Sequence, residues 1–447
     1  MNIALCHFRV GETDGVSLEM EKWKKVLEDM GHNVFLLAGS LGEQEGIEID
    51  ELHYRHPLND KLVLNAYERL QDYESEEQFR REVFAYAAKI EESLIRAIDR
   101  YELDVLVPNN IWSLGWGLSA GAAFAAAVRK CRIKAVAHHH DFYWERAKYS
   151  HPTNETVKQL LDEVFPPRDG LIRHVTINQI ARKELSLRKG LDSHVVPNVF
   201  DFHAPLWRTD EYNYDFRERF GIGENDILLL QATRITERKA IELAIDVAAT
   251  LQRPEFRARL SGQRLYNGKT FGDDSQIVLA LAGMPEAGEN YIPALIKKAE
   301  LENVRLVFVN DNIQATRSVQ NGIKNYSLWD AYVHADLITY PSILEGWGNQ
   351  LLEALFAKKP IVLYEYPVYE TDIKPLGLQV ISLGNAHETG TDGLVQVDGQ
   401  KVVKAAEACL RVLLDPEYRN RMVEHNFRIA EKHWSYPALA EHLAKLF

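Results

Sequence analysis

The chain is predicted to be an α/β protein made of two Rossmann-like halves, and three observations carry that prediction. Its 447 residues are too many for one hydrophobic core, so two domains of about 200 residues each are expected. Short β-branched apolar runs alternate with helical patterns through both halves, which implies parallel sheets covered on both faces. The alternation breaks once, where Pro197-Asn198-Val199-Phe200-Asp201 opens a polar stretch to about Asn225, so the linker is placed near 200–225.

The elements follow in order. Asn2 to Cys6 reads as a strand, Val16 to Met30 as a helix and Asn33 to Leu37 as a strand. A long helix from Glu76 to Arg100 spaces Val83, Ala87, Ile90, Leu94 and Ile98 along one buried stripe. Strands are expected at Val105-Leu106-Val107, around Val136, at Val175-Thr176-Ile177 and at Val195-Val196. Between the first two lies Ile111 to Val128, without a charge and rich in Gly and Ala. A buried helix between parallel strands accounts for it better than a membrane span, whose lower length limit it only touches. In the second half, strands are expected at Ile227 to Gln231, Arg259-Leu260-Ser261, Val304 to Val309, Leu337 to Tyr340 and Ile361 to Leu363. Ligands of such folds gather at the carboxyl ends of the strands.

Composition narrows the function. A formal charge of −13 disfavours a nucleic-acid binder, which needs a basic face. Cys6, Cys131 and Cys409 are far apart and suggest neither a zinc pair nor a disulfide framework, so a reducing cytoplasm is the expected setting. Met1 leads straight into a strand with no basic stretch, and no signal peptide is expected.

The most informative stretch runs from Pro341 to Leu355. The strand ends at Pro341, two glycines flank Trp347, and a helical apolar pattern begins there. A strand–glycine loop–helix unit aims backbone N–H groups and a helix N-terminus at one point, which suits a phosphate. Glu345 and Glu353, eight positions apart, would lie about 80° apart on a continuous helix. With Glu345 in the loop, both reach one ligand, and carboxylates beside a phosphate site are suited to accept hydrogen bonds from sugar hydroxyls. A solvated helix face is the plainer alternative.

This segment resembles the E-x7-E signature of retaining, nucleotide-sugar-dependent glycosyltransferases of the GT-B fold, family 4 in particular. The resemblance implies two Rossmann-like domains facing across a cleft. They are an acceptor-binding domain (1–205) and a nucleotide-sugar-binding domain (206–425), followed by a closing helix (426–447) that returns to the N-terminal domain. It further implies that Glu353 binds the ribose, while Glu345 and the amides of Gly346, Trp347, Gly348 and Asn349 bind the sugar and phosphates.

Arg234 and Lys239 follow the first strand of the second half. Two cations at a strand-to-helix turn suit a diphosphate. The family carries Arg and Lys at this spacing after a glycine, which is Thr233 here, and Arg238 is an extra cation that competes with Lys239 for its role. These cations would stabilise charge on the departing nucleoside diphosphate, with no metal required. The sequence holds no Asp-x-Asp.

His138-His139-His140-Asp141 ends the strand around Val136, with His138 and His140 on one face and His139 on the other. Zinc is a rival reading, but adjacent histidines seldom achieve tetrahedral geometry. By resemblance, His140 contacts the donor sugar with Asp141 holding its ring, His139 being the competing assignment. In the loop His7 to Ser17 the family has Gly-Gly-Val. Asp14 replaces the first glycine, so Gly15 is expected at the donor and Asp14 on an acceptor hydroxyl, with His139 and Tyr143 as further acceptor candidates. Asn198 has no assigned role.

The implied reaction moves a hexose from a UDP- or GDP-sugar to a hydroxyl with retention, by front-face transfer. The acidic helix Glu76 to Arg100 disfavours anionic membranes, so a small soluble acceptor is expected: a sugar, glycerate or a glycoside. A sugar-nucleotide epimerase, a transferase acting on a lipid or polysaccharide, and a silent nucleotide-sugar-binding module are the rivals. A silent module would have lost a cation or a glutamate.

Overall fold

The computed structural model describes residues 1–11 and 14–447. They form two compact units, Met1–Val199 with Tyr436–Phe447, and Phe200–Ser435. The border that the sequence places at 425/426 falls inside a continuous helix, Pro416–Trp434, and the second unit therefore runs on to Ser435.

The first unit holds a seven-stranded sheet of β1 (Asn2–Cys6), β2 (Asn33–Ala38), β3 (Ile47–Glu48), β4 (Val105–Pro108), β5 (Lys134–His139), β6 (Ile172–Thr176) and β7 (His194–Val195). Its order is β3-β2-β1-β4-β5-β6-β7, every pair parallel. The helices are α1 (Gly15–Asp29), α2 (Pro57–Tyr67), α3 (Glu76–Arg100), α4 (Leu118–Cys131), α5 (Glu155–Glu163) and α6 (Gln179–Lys189). The stripe Val83, Ala87, Ile90, Leu94 and Ile98 is buried, and α3 packs along α4. Small residues on α4 allow that approach: the Ser119 hydroxyl donates to the Val83 carbonyl at 2.8 Å. The charge-free segment is thus a turn followed by a core helix, and among the described residues no helix is long and apolar enough to cross a membrane.

The second unit holds β8 (Ile227–Gln231), β9 (Ile277–Leu281), β10 (Arg305–Phe308), β11 (Ile313–Gln314), β12 (Ser318–Gln320), β13 (Ile323–Ser327), β14 (Leu337–Tyr340), β15 (Ile361–Leu363) and β16 (Ile381–Ser382). The parallel sheet runs β10-β9-β8-β14-β15-β16, and β11, β12 and β13 form a separate small sheet. Its helices are α7 (Phe216–Arg219), α8 (Ile241–Gln252), α9 (Pro254–Leu260), α10 (Tyr291–Leu301), α11 (Leu328–His334), α12 (Asn349–Phe356), α13 (Gly399–Leu414) and α14 (Pro416–Trp434). One expected strand is corrected. Arg259 and Leu260 close α9, because Pro254 suits a first helical turn and Phe256 and Leu260, four apart, are both buried. The strand here is β9 instead.

The last helix, α15 (Tyr436–Leu443), belongs to the first unit. Leu439, Leu443 and Leu446 enter a buried cluster with Ile3, Leu5, Trp23 and Leu27. Strand order reverses between β1 and β4 in the first unit and between β8 and β14 in the second. The crevice beyond the carboxyl ends at such a reversal is where doubly wound sheets bind ligands.

Candidate functional site

In the second unit, the reversal brings together the loops after β8 and β14. The Ile343 N–H donates to the Arg238 carbonyl at 3.0 Å and ties the two loops. Close approach also comes from Gly283, after β9: a Cβ there would sit 1.8 Å from the Thr233 carbonyl oxygen. The glycine that the family places at 233 is thus matched by a glycine facing that position.

Glu345 is buried and clamped by two cations. Lys239 Nζ, itself buried, donates to Oε1, and Arg238 Nη1 donates to Oε2 at 3.0 Å and to the Leu344 carbonyl at 3.0 Å. Burial would raise the Glu345 carboxyl, but Lys239 and Arg238 outweigh it and hold the group below its usual 4.5. Lys239 is pushed below its usual value, first by burial and then, against the pull of Glu345, by the fields of Arg238 and Arg234. Burial is the chief cause of that depression; the crowding of Arg238 and Arg234 near Lys239 adds to it, and positive groups gathered in this way suit a diphosphate. Arg234 stands outside the clamp, paired with Glu286 at 2.7 Å and largely exposed. Ala240, directly after Lys239, has φ +45° and is fully buried, so the loop is held in a conformation that L-residues seldom adopt.

Gly346, Trp347 and Gly348 lead into α12, which begins at Asn349. Gly348 has φ +119°, and a Cβ there would lie 2.8 Å from both the Tyr340 and Tyr366 hydroxyls. No other residue type suits that position. The Trp347 ring packs edge-on against Trp434 at 5.9 Å, so the residue offers backbone rather than ring to a ligand. Glu353 lies on α12 and accepts from the Tyr332 hydroxyl at 2.9 Å. Glu345 and three cations therefore lie in the adjoining loops after β8 and β14, and Glu353 on the helix α12 that follows, all within one unit.

The first unit's reversal is polar in a different way. Asn109 and Asn110 follow β4, and Asn110 has φ +55°, which Asn tolerates better than most residues. Asn109 Nδ2 donates to the Val107 carbonyl, so its Oδ1 accepts from His138 Nδ1 at 3.0 Å and His140 Nε2 at 3.2 Å. This sets both tautomers and leaves Nδ1 of His140 as an acceptor. The expected pairing of Asp141 with the His140 ring does not occur. Asp141 accepts from Asn110 Nδ2 at 2.9 Å and from Arg146 Nε at 2.7 Å, and Asn109 takes its place at the ring. Burial pushes His140 down to about 3, with His7 adding to the shift, so it acts as a neutral hydrogen-bonding group.

His139 is a core histidine: it bonds Ser113 Oγ at 2.7 Å and His174 Nδ1 at 3.1 Å and stacks on Phe142. That placement removes it as the rival to His140 and as an acceptor contact. Asp14 caps α1, accepting from the Val16 and Ser17 amides and from Ser17 Oγ, with Arg9 Nε at 3.4 Å. Gly15 is the exposed first residue of α1, while Glu12 and Thr13 of the same loop lie outside the described residues. Tyr143 is half-buried; its N–H donates to the Ser113 carbonyl and Lys189 Nζ lies 5.6 Å from its ring. The sequence reading missed Asn109 and Asn110. Their signal was a polar pair directly after an apolar strand. Among the described residues no three His, Cys, Asp or Glu side chains gather as a metal site.

Residues 214–428 match the model of the family described as glycosyl transferases group 1. The mannosylglucosylglycerate synthase of Petrotoga mobilis is 42% identical over 422 residues, covering 94% of this chain and 95% of that protein. Among solved structures, a glycosyltransferase from Rickettsia africae aligns with TM-score 0.63 at 11% identity, over 100% of this chain and 97% of that one. Anabaena HepE in complex with UDP-glucose aligns with TM-score 0.59 at 15% identity, over 100% and 99%. Two parallel sheets, each with its polar residues at the strand-order reversal, and a relative alike over nearly its whole length lead to one conclusion: the chain belongs to the group 1 glycosyl transferases, of GT-B fold, and is a relative of the mannosylglucosylglycerate synthases.

Proposed function

We propose that this protein is a retaining hexosyltransferase, moving a hexosyl group from a UDP- or GDP-sugar to a hydroxyl of a small glycerate glycoside in the cytoplasm. The observation that carries the reading is the Lys239–Glu345–Arg238 clamp, where positive charge exceeds negative at the end of β8 and β14. Supporting it are the name of the Petrotoga relative, whose acceptor chemistry is carried over, and the UDP-glucose bound by Anabaena HepE.

In this reading Lys239, Arg238 and Arg234 hold the diphosphate, and the start of α12 with Gly346, Trp347, Gly348 and Asn349 adds backbone N–H groups. Glu345 accepts from a sugar hydroxyl and Glu353 from the ribose. His140, neutral, accepts from a donor hydroxyl. As the bond between the anomeric carbon and the phosphate oxygen breaks, the acceptor oxygen bonds to that carbon on the same face. The acceptor proton passes to the departing phosphate oxygen. The cations stabilise charge that grows only as the bond breaks, and so lower the barrier rather than merely bind.

The test is turnover of UDP- and GDP-linked glucose and mannose with glucosylglycerate as acceptor, read by release of nucleoside diphosphate and by the anomeric configuration of the product. Arg238→Ala is expected to lower kcat/KM by roughly 100-fold or more, the scale for loss of a charged group that stabilises a transition state. An inverted product would overturn the mechanism, and turnover of the nucleotide sugar without any acceptor would favour an epimerase.

A further inference from the structure

Among the described residues, the buried side-chain hydroxyls that make no hydrogen bond are Thr236 Oγ1, Tyr340 Oη and Ser342 Oγ. All three stand at the clamp. Thr236 lies in the loop of the cations, Tyr340 closes β14, and Ser342 follows it in the loop that leads to Glu345. A buried hydroxyl without a partner costs free energy, and folded proteins seldom keep one without a use for it. Resting on the transferase reading, we infer that the clamp is the donor-free arrangement of the site, and that Tyr340 and Ser342 are positioning residues. Their hydroxyls take up the Glu345 carboxylate when Lys239 and Arg238 turn to the diphosphate.

Charge makes such an exchange necessary. Glu345 is only 9% exposed, and each of its oxygens is held by a cation, Oε1 by Lys239 and Oε2 by Arg238. Those two cations are the ones that hold the diphosphate in the transferase reading, and one N–H cannot point at both acceptors. A diphosphate carries more charge than a single carboxylate and draws them to itself. A buried carboxylate stripped of its cations is costly unless other donors replace them. Hydroxyls are suited to that task, because an O–H turns about its C–O bond without moving the chain.

Both hydroxyls are already close to the carboxylate. Ser342 joins Lys239 and Arg238 in holding the Glu345 carboxyl down against burial, and Glu345 adds to burial in pushing the Tyr340 phenol up. Tyr340 also reaches under the glycine loop, its hydroxyl 2.8 Å from where a Gly348 Cβ would stand, with Lys239 Nζ 5.8 Å from its ring centre. Tyr366 supplies the contrast. Its hydroxyl is equally near that point, yet it donates to the Trp347 carbonyl at 2.7 Å and is committed to holding the loop. Tyr340 reaches the same loop and makes no such bond.

The experiment measures UDP and GDP binding by calorimetry in the wild type, Tyr340→Phe and Ser342→Ala, and in each of these combined with Glu345→Gln. Each hydroxyl deletion should weaken binding of the preferred nucleotide by roughly 10- to 100-fold, the scale of a hydrogen bond to a charged group. The urea midpoint of the nucleotide-free protein should stay level or rise, since no hydrogen bond is lost there. With Glu345→Gln in place, the same deletions should weaken binding by less than about threefold, because the charge through which they act is gone. Unchanged nucleotide binding in both single variants overturns the inference. A lowered urea midpoint in either does so too, as does an undiminished effect beside Glu345→Gln. In each of these cases transfer by the wild type still upholds the transferase reading. A wild type that neither binds a nucleoside diphosphate nor transfers from any nucleotide sugar removes both.

Discussion

Glu345 shows how a single carboxylate serves fold and chemistry together. Because Lys239 is buried beside it, truncation leaves an uncompensated interior charge, so Glu345→Ala is expected to destabilise by about 3–5 kcal/mol. Burial of both partners means that such truncation does not spare the fold. Glu345→Gln keeps shape and one acceptor, and is the cleaner probe: transfer should fall by roughly 100-fold or more while the urea midpoint drops less than in Glu345→Ala. The ion pair also has a pH signature. A carboxyl held below its usual 4.5 in the folded chain contributes stability that is complete above that value and is lost as pH falls below it. Wild type should therefore lose more stability than Glu345→Gln between pH 4.5 and lower values, measured by urea unfolding. Residue-scale detail of this kind was partly legible in the sequence. Glu345 and Glu353 stood out because a strand, two glycines and a helix frame them. The core role of His139 did not, because its partners Ser113 and His174 come from elements 26 and 35 positions away.

β5 ends in His138 and His139, His140 follows directly, and the three make this part of the sheet sensitive to acid. Burial pushes His138 and His139 far below 6.5, His140 to about 3 and, on neighbouring β6, His174 to about 4. In the unfolded chain each takes a proton near 6.5, before the folded form does. Stability thus falls as pH drops through the window from 6.5 towards 4, by up to about 1.4 kcal/mol per pH unit for each such histidine. Calorimetry at pH 7 and pH 5 should show the transition of the first unit moving down more than that of the second, and His138→Asn should reduce the shift; equal shifts would contradict the account. The elements themselves were readable where an apolar run or stripe was continuous, as in β1, β8, β14 and α3. The reading failed at Arg259-Leu260-Ser261, where a three-residue apolar–polar pattern was weighed without Pro254 and Phe256. It passed over β11, β12 and β13 because their short, mostly polar strands carry no periodic signal.

At the scale of the molecule, the chain is divided so that one unit is built from a single stretch and the other from two. Leu439, Leu443 and Leu446 are each buried to within a few per cent, beside Ile3, Leu5 and Trp23. At about 1.5–3 kcal/mol for each leucine side chain removed from water, deleting residues 436–447 should cost the first unit several kcal/mol. Calorimetry would read this as a lowered transition for the first unit, while the melting shift given by nucleoside diphosphate persists. Loss of both would mean that the two units do not unfold independently. The same arrangement bears on biosynthesis. Met1–Val199 emerges first from the ribosome, yet its cluster around Trp23 lacks its leucine cover until Tyr436–Phe447 has been translated. At about 5–20 residues per second, the intervening Phe200–Ser435 takes on the order of tens of seconds to make. Over that interval the nascent N-terminal half presents sticky, uncovered apolar surface to the crowded cell, so chaperone demand should concentrate on the half of the protein that is synthesised earliest.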